Sequence, residues 1–535
     1  MIFGVVALYF FLFLIIPAGM LLGKSFLTAQ GIGIHNYVSI FSDTEILGAL
    51  ANSFLVSAAG AFVTTFLAFL LAFAVHYTRL PGWLKASFSA VARLPMFLPT
   101  ITYGFAILYS FGKQGLLTKL FGRQLFEIYG FNGLLVGYVI YTLPVSFMLI
   151  ENTMHYIDKS FSVVSRLLYD NPLKNFYMTV FLPVSGALVS SFIQTFFLCF
   201  TDFGIPAAVG GRFQTIAGVL YQEMLGSVPD FGRGAVIALM MLLPSVISVT
   251  VLHELDKHNV RYNKVSELEM KKSLPRDVIF GVLGVGLCVA VLAVFAVIFV
   301  IPFVGNWPYD IRFTVSHFQD VWADSALMLV MKNSLIVSVC TALVGTLAAY
   351  GCALITARSQ MPGAVKKMIE AAAMVTNTIP GMVLGLAYLF VFSGSFLQGT
   401  LVLLVLCNVI HYFSTPYLMM KASLSKLNAS WETTAMLMGD SWLRTVLRVV
   451  TPNTMPTLLE VFGYYFINAM VTISAVIFIA GARTMVVTTK FKELQYYNKY
   501  SEIFVLSLFI LLVNLVSRLL VSARFSGFHK KKKAQ

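Results

Sequence analysis

Few residues in this chain have the type and spacing that chemistry needs. Ala18, Gly23, Lys24 and Ser25 satisfy a loose phosphate-loop pattern. Such a loop requires a strand, a glycine-rich turn and a helix N-terminus whose amides hold phosphate. Here the pattern ends an apolar run and no acidic strand follows, so any ATP must be used by another chain. Five cysteines, Cys199, Cys288, Cys340, Cys352 and Cys407, all fall in apolar segments, and neither their number nor their spacing suits a metal. Asn408 and His411 lie one helical turn apart, where they could line a polar seam or bond to a neighbouring helix. No nucleophile, base and acid converge, so the expectation is a chain that is no enzyme and binds no cofactor or metal of its own.

Asp202 stands apart. It closes an apolar run in Phe200-Thr201-Asp202-Phe203-Gly204-Ile205-Pro206, with Gly210-Gly211 behind it. At about 1.5 Å per residue it lies roughly 29 Å along a helix that starts at Pro183. A carboxylate there is costly unless it meets water, a partner or a substrate. It could cap the turn made by Gly204 and Pro206, pair with Arg212, or meet the cationic part of a cargo at the outer end of a pathway.

The elements that position these residues belong to a membrane. Of 535 residues, 58% are hydrophobic and 11% charged, with a mean hydropathy of +0.84. Repeated runs of about 20 apolar residues without strict alternation indicate spanning helices and exclude a barrel. Twelve spans are expected, at 2–23, 50–75, 93–112, 132–151, 183–207, 232–252, 278–304, 333–356, 371–394, 397–419, 455–482 and 501–522. The first reads as a retained span rather than a removed signal peptide. Pro99, Pro144, Pro380 and Pro416 fall within spans as expected kinks. With both termini inside, the loops on the inner side hold about two-thirds of the 37 Lys and Arg, the bias that sets topology. The net charge of +14 is thereby explained without nucleic acid. The Lys530–Lys533 run would meet anionic lipid at the bilayer surface.

The chain repeats itself. Asn52-Ser53 and Asn333-Ser334 each open a span, and Leu98-Pro99 with Gly104 answers Ile379-Pro380 with Gly385, all at an offset of 281 residues. Two matches at one offset indicate duplication. The halves are 1–252 and 278–523, joined by a basic linker at 253–277 and followed by a basic tail at 524–535.

One polar stretch between the tenth and eleventh spans, Ser430 to Pro452, carries a spacing of its own. Trp431, Ala435, Met438, Trp442, Val446 and Val449 recur at helical steps, and Gly439 interrupts that helix, which suggests a bend or a close backbone approach. The stretch resembles the Glu-Ala-Ala loop of the membrane subunits of bacterial ABC importers. Thr433, Thr434 and Ala435 occupy the Glu-Ala-Ala places, Gly439 and Pro452 match at the right separation, and Glu432 falls one place early. The repeat supplies a second copy, with Val164-Ser165-Arg166 in the first places, Asp170 for the glycine and Leu182-Pro183 at its end. That copy keeps little beyond its length and its ending, so one socket is expected to be better formed than the other.

The runs around Asp202 and around Asn468–Phe478, with Thr472 and Ser474, are similar to fused permeases for ferric iron and 2-aminoethylphosphonate, with a slight preference for the phosphonate branch. The resemblance implies an all-α polytopic membrane protein of two pseudo-symmetric six-helix halves, the MetI-like type I ABC permease fold. It implies a permease of the bacterial cytoplasmic membrane. Two cytoplasmic ABC ATPase subunits would use ATP and dock at 153–182 and 420–454. A solute-binding protein would deliver cargo to the other face. Thr201, Asp202, Thr472 and Ser474 would lie on the pathway. A twelve-span secondary transporter shares the six-plus-six repeat, but the loop Tyr77–Trp83 lacks the Gly-x3-Asp-Arg type of motif usual there.

Overall fold

The computed structural model describes residues 2–533 apart from 29, 159, 168–170, 227, 259–272 and 429. The first half runs through α1 (Gly4–Phe26), α2 (Thr44–Tyr77), α3 (Gly82–Arg93), α4 (Thr100–Phe111), α5 (Phe131–Tyr156), α6 (Ser160–Leu167), α7 (Pro172–Thr201), α8 (Gly204–Val209) and α9 (Phe231–Leu252). The second runs through α10 (Leu274–Val300), α11 (Ser325–Arg358), α12 (Gly363–Val375), α13 (Gly381–Phe392), α14 (Leu401–His411), α15 (Ser414–Ser425), α16 (Ser430–Leu437), α17 (Thr451–Val471), α18 (Val487–Tyr496) and α19 (Tyr500–Lys533). Two short antiparallel hairpins, Leu27–Thr28 with Gly31–Ile32 and Val304–Asn306 with Asp310–Phe313, are the strands among the described residues. The protein is all-α and polytopic.

The repeat is visible in the capping chemistry. Asp43 starts α2 by accepting from the amides of Glu45 and Ile46, and Asp324 starts α11 by accepting from those of Ala326 and Leu327. These caps hold the first orphan amides of two 34-residue helices. The Asn-Ser pairs do the same structural job in both halves. Ser53 accepts from Ile216 N and Ser334 from Val487 N, each at 2.8 Å. Asn52 donates to Gln214 O, and Asn333 to Arg483 O and Met485 O. Each pair thus pins the start of a short helix, Ile216–Leu225 in the first half and α18 in the second.

Eight helices are long and apolar enough to cross a membrane, and three bent pairs raise that to eleven among the described residues. The third, ninth and tenth expected spans are the bent ones. α3 with its 3-10 extension meets α4 at 110°, α12 meets α13 at 107°, and α14 meets α15 at 58°. Pro99 and Pro380 sit in the same place, as the N-cap residues of α4 and α13. Proline lacks the amide to continue the preceding turn and pushes the residue before it out of the helical region, so each chain breaks instead of kinking. Pro144 lies inside α5 and Pro416 near the start of α15. α17, over the expected eleventh span, is not among the eleven; Asn453, Thr454, Pro456, Thr457 and Glu460 make its first turns polar.

Packing groups the chain differently from the repeat. One compact unit is Met1–Tyr37, Asp230–Leu242 and His317–Gln535, and the other is Val38–Pro229 and Leu243–Ser316. The first span therefore packs with the second half. Tyr388 Oη donates to Phe13 O at 2.8 Å, and the rings of Phe10 and Phe413 meet edge-on at 5.0 Å. Correspondingly α10 packs with the first half, where Phe280 contacts Phe73 at 4.4 Å. The linker expected at 253–277 falls largely on 259–272, outside the described residues. α19 runs on through the basic tail as far as Lys533.

Candidate functional site

The stretch expected to be one interrupted helix is two helical pieces joined by a defined turn. α16 ends in a Schellman arrangement, in which Asp440 N donates to Ala435 O at 2.9 Å and Gly439 N to Met436 O at 3.0 Å. Gly439 takes φ +82°, the left-handed conformation that closes such a turn. A side chain there would meet nothing within 4 Å, so the glycine serves the bend and not a close approach within this chain. Ser441 then caps the next turn, Trp442–Thr445, by accepting from Arg444 N.

The bend sets which side chains face outward. No residue of α16 is buried. Met436, Leu437 and Met438 are 51%, 84% and 79% exposed, and Leu443 follows across the turn at 55%. Thr433 and Thr434 are exposed, while Trp431, Ala435, Trp442 and Val449 are half-buried. Large apolar side chains clustered on an exposed turn mark an interaction surface. Glu432 points the other way. Its two oxygens take Nε and Nη2 of Arg358, at 2.6 and 2.5 Å.

Both of the motif-bearing stretches lead into the next long helix through the same device. A π-turn, Tyr177–Phe181 in the first half and Val446–Val450 in the second, ends two residues before Pro183 and Pro452 respectively. A third, Phe11–Ile15, precedes Pro17 in the same way. Widening the turn accommodates a ring that would otherwise strike the carbonyl four residues back. In the first loop α6 carries exposed Phe161, Val164 and Leu167, and Asn171 caps the turn into Pro172 by accepting from Leu173 N. Asp170, at the glycine place of that loop, lies outside the described residues.

The candidate pathway residues sit at two equivalent breaks. Thr201 ends α7, with Oγ1 donating to Phe197 O. Asp202 is buried and its Oδ2 accepts from Ile205 N at 2.9 Å, so it caps α8. In the second half Thr472 follows α17 directly and is buried. Its carbonyl accepts from Thr488 Oγ1 at 2.5 Å. Half-buried Ser474 and His411 Nε2 both face the space above Gly381 Cα, where an added Cβ would lie 2.5 Å and 3.1 Å from them. The breaks are held by close approaches. A Cβ on Gly104 would fall 2.3 Å from Ala208 Cβ, and one on Gly385 would fall 2.4 Å from Ala475 O. Small residues let these membrane segments touch backbone to backbone. Thr201 and Asp202 thus lie in one compact unit, and Thr472 and Ser474 in the other.

Arg358 is the residue at this site that sequence reasoning passed over. It hides at the end of an otherwise apolar span, and its partner Glu432 stands one place off the family spacing. The available signal was an arginine at a helix C-terminus facing a displaced acid in the one loop that carries the motif.

Residues 345–524 match the family described as the binding-protein-dependent transport system inner membrane component. That span runs from the middle of α11 through the Ser430–Pro452 stretch into α19. The ferric transport system permease protein FbpB of Actinobacillus pleuropneumoniae is 26% identical over 502 residues, covering 90% of this chain and 72% of that protein. The putative ferric transport system permease protein FbpB 1 of Haemophilus influenzae is 26% identical over 508 residues, covering 91% and 79%. The thiamine transport system permease protein ThiP of Escherichia coli is 25% identical over 234 residues, 42% of each chain. Residues 345–524 thus form a binding-protein-dependent permease domain, and two permeases of that kind are similar to this chain along nearly its whole length.

Proposed function

We propose that this chain, as the permease of an ATP-driven importer, carries ferric iron, and that its two halves, 1–252 and 278–523, each receive one cytoplasmic ATPase subunit. The ATPases dock at 153–182 and 420–454, with both termini on the same side, and a solute-binding protein delivers cargo to the opposite face. Iron is preferred over 2-aminoethylphosphonate because the two relatives that span the chain are named for ferric transport. The observation that carries the docking reading is the second loop. An exposed Met436-Leu437-Met438 edge is presented by a turn that only Gly439 closes, on a loop fastened behind by Glu432. ATP-driven approach of the two ATPases would move the two loops and switch the bundle between inward- and outward-open states, a rigid-body exchange. In each half the candidate pathway residues lie at a break, Thr201 and Asp202 at the first, where Asp202 is the cap, and Thr472 and Ser474 at the second.

Proteoliposomes holding this chain with a cognate ATPase and a cognate binding protein test the reading. Uptake of radioactive ferric iron should require all three proteins and ATP. Uptake driven by a proton gradient without ATPase would instead identify a secondary transporter. ATP-dependent uptake of 2-aminoethylphosphonate but not iron would reverse the cargo assignment.

A further inference from the structure

The geometry points to Arg358 as a positioning residue that ties the second coupling loop to the membrane bundle, so that movement of the loop becomes movement of α11. α11 runs unbroken from its cap at Asp324 to Arg358, its last residue. The arginine side chain is 4% exposed, and its guanidinium joins three elements. Nε and Nη2 hold both oxygens of Glu432 in the first turn of α16. Nη1 donates to Leu427 O at 2.8 Å and Nη2 to Asn428 O at 2.9 Å, in the segment that leaves α15. A planar fork that meets a carboxylate with two bonds fixes orientation as well as distance. Glu432 is 13% exposed on its side chain, so it faces this arginine and not a docking partner, while Leu437 and Met438 face out. The loop is thus gripped on its inner side and offered on its outer side.

The aligned positions of the first half do not carry this pair. By the 281-residue offset Tyr77 stands where Arg358 does, and by the alignment of the two loops, which sets Pro183 against Pro452, Val163 stands where Glu432 does. Tyr77 ends α2 with its ring stacked on Phe73 at 5.2 Å. Neither residue can form an ion pair, so whatever holds the first loop, it is not this pair. This inference rests on the reading that 420–454 meets an ATPase.

The test uses the complete assembly in proteoliposomes and reads ATPase co-purification, ATP hydrolysis and uptake separately. Arg358→Gln should keep the ATPase bound and hydrolysing, while uptake per ATP falls roughly tenfold, the size expected of a coupling residue. Arg358→Lys, which keeps the charge but not the fork, should fall between. The exchanged pair, Arg358→Glu with Glu432→Arg, should recover part of the loss. Should Arg358→Gln fail to insert, Glu432→Gln makes the same comparison with the arginine kept. Unchanged uptake per ATP would overturn the inference, and so would loss of the bound ATPase, which would make the pair part of the docking surface. If the unaltered chain holds no ATPase, the docking reading fails first and takes this inference with it.

Discussion

The two halves share their scaffold and differ in what fills it. Asp43 and Asp324 cap equivalent helices, Ser53 and Ser334 hold equivalent amides, and Lys85 and Lys366 donate to the carbonyls of Thr78 and Ser359. The contacts between these fixed points are inverted. In the first half Arg93 on α3 pairs with Glu151 on α5; in the second Glu370 on α12 pairs with Lys421 on α15. At the break, a Cβ on Gly204 would strike Thr100 Oγ1, whereas in the second half the glycine is Gly381 and the hydroxyl is Ser474. An ion pair or a small-to-large contact works in either direction, so duplication leaves its polarity free. A left-handed turn has no such freedom. Gly439 keeps its residue, and Asp170 in the other loop has lost it.

The largest effect is expected where that freedom is missing. Gly439→Val forces a β-branched residue to φ +82°, a strain of about 1–3 kcal/mol that the exposed turn can relieve only by unwinding. The ATPase should be lost while the chain still inserts, and Gly439→Asn should retain it, because asparagine tolerates this conformation. Co-purification of the ATPase with each variant decides the point, and equal retention with Val would remove the turn from the docking surface.

Next come the close approaches. Gly104→Ala meets another side chain, so pairing it with Ala208→Gly should restore thermal stability in detergent. Gly385→Ala meets the carbonyl of Ala475 and has no equivalent rescue. Overpacking of this kind costs about 1–3 kcal/mol, so unfolding midpoints should separate the two sites. A rescue of Gly385→Ala by shrinking any neighbouring side chain would show that backbone contact does not set that break.

Asp202 gives a smaller and more selective effect. Asp202→Asn keeps an acceptor for Ile205 N and should leave uptake within about threefold, whereas Asp202→Leu should lose a cap worth about 1 kcal/mol and impair uptake and stability together. Collapse of uptake in the Asn variant with insertion intact would make the charge itself a contact of the cargo. Smallest of all, Lys421→Met should cost under about 1 kcal/mol, since its pair with Glu370 is partly open to solvent. A unfolding midpoint shifted more than in the Gly104→Ala chain would show that this pair is no mere surface bridge.

Hydropathy exposed the spans and the 281-residue offset exposed the repeat, because both are one-dimensional patterns. The breaks at Pro99 and Pro380 escaped for the same reason, since an average over twenty residues is blind to a 110° bend. The exchange of α1 and α10 between the packing units left no mark in periodicity either, because neighbours in space need not be neighbours in sequence. The motif spacing located the turn and singled out Gly439. It could not say that the displaced Glu432 faces inward, as that depends on Arg358, 74 residues earlier.

The unequal loops can be tested most directly by single-cysteine crosslinking to the ATPase. Leu437→Cys in the second loop and Leu167→Cys in the first are well matched, the native residues being 84% and 72% exposed. The five native cysteines are buried or half-buried and should give little background. With the ATPases held closed by a non-hydrolysable ATP analogue, we expect a high yield at 437 and a clearly lower one at 167. Equal yields would contradict a coupling that runs chiefly through the second loop, and a higher yield at 167 would reverse it.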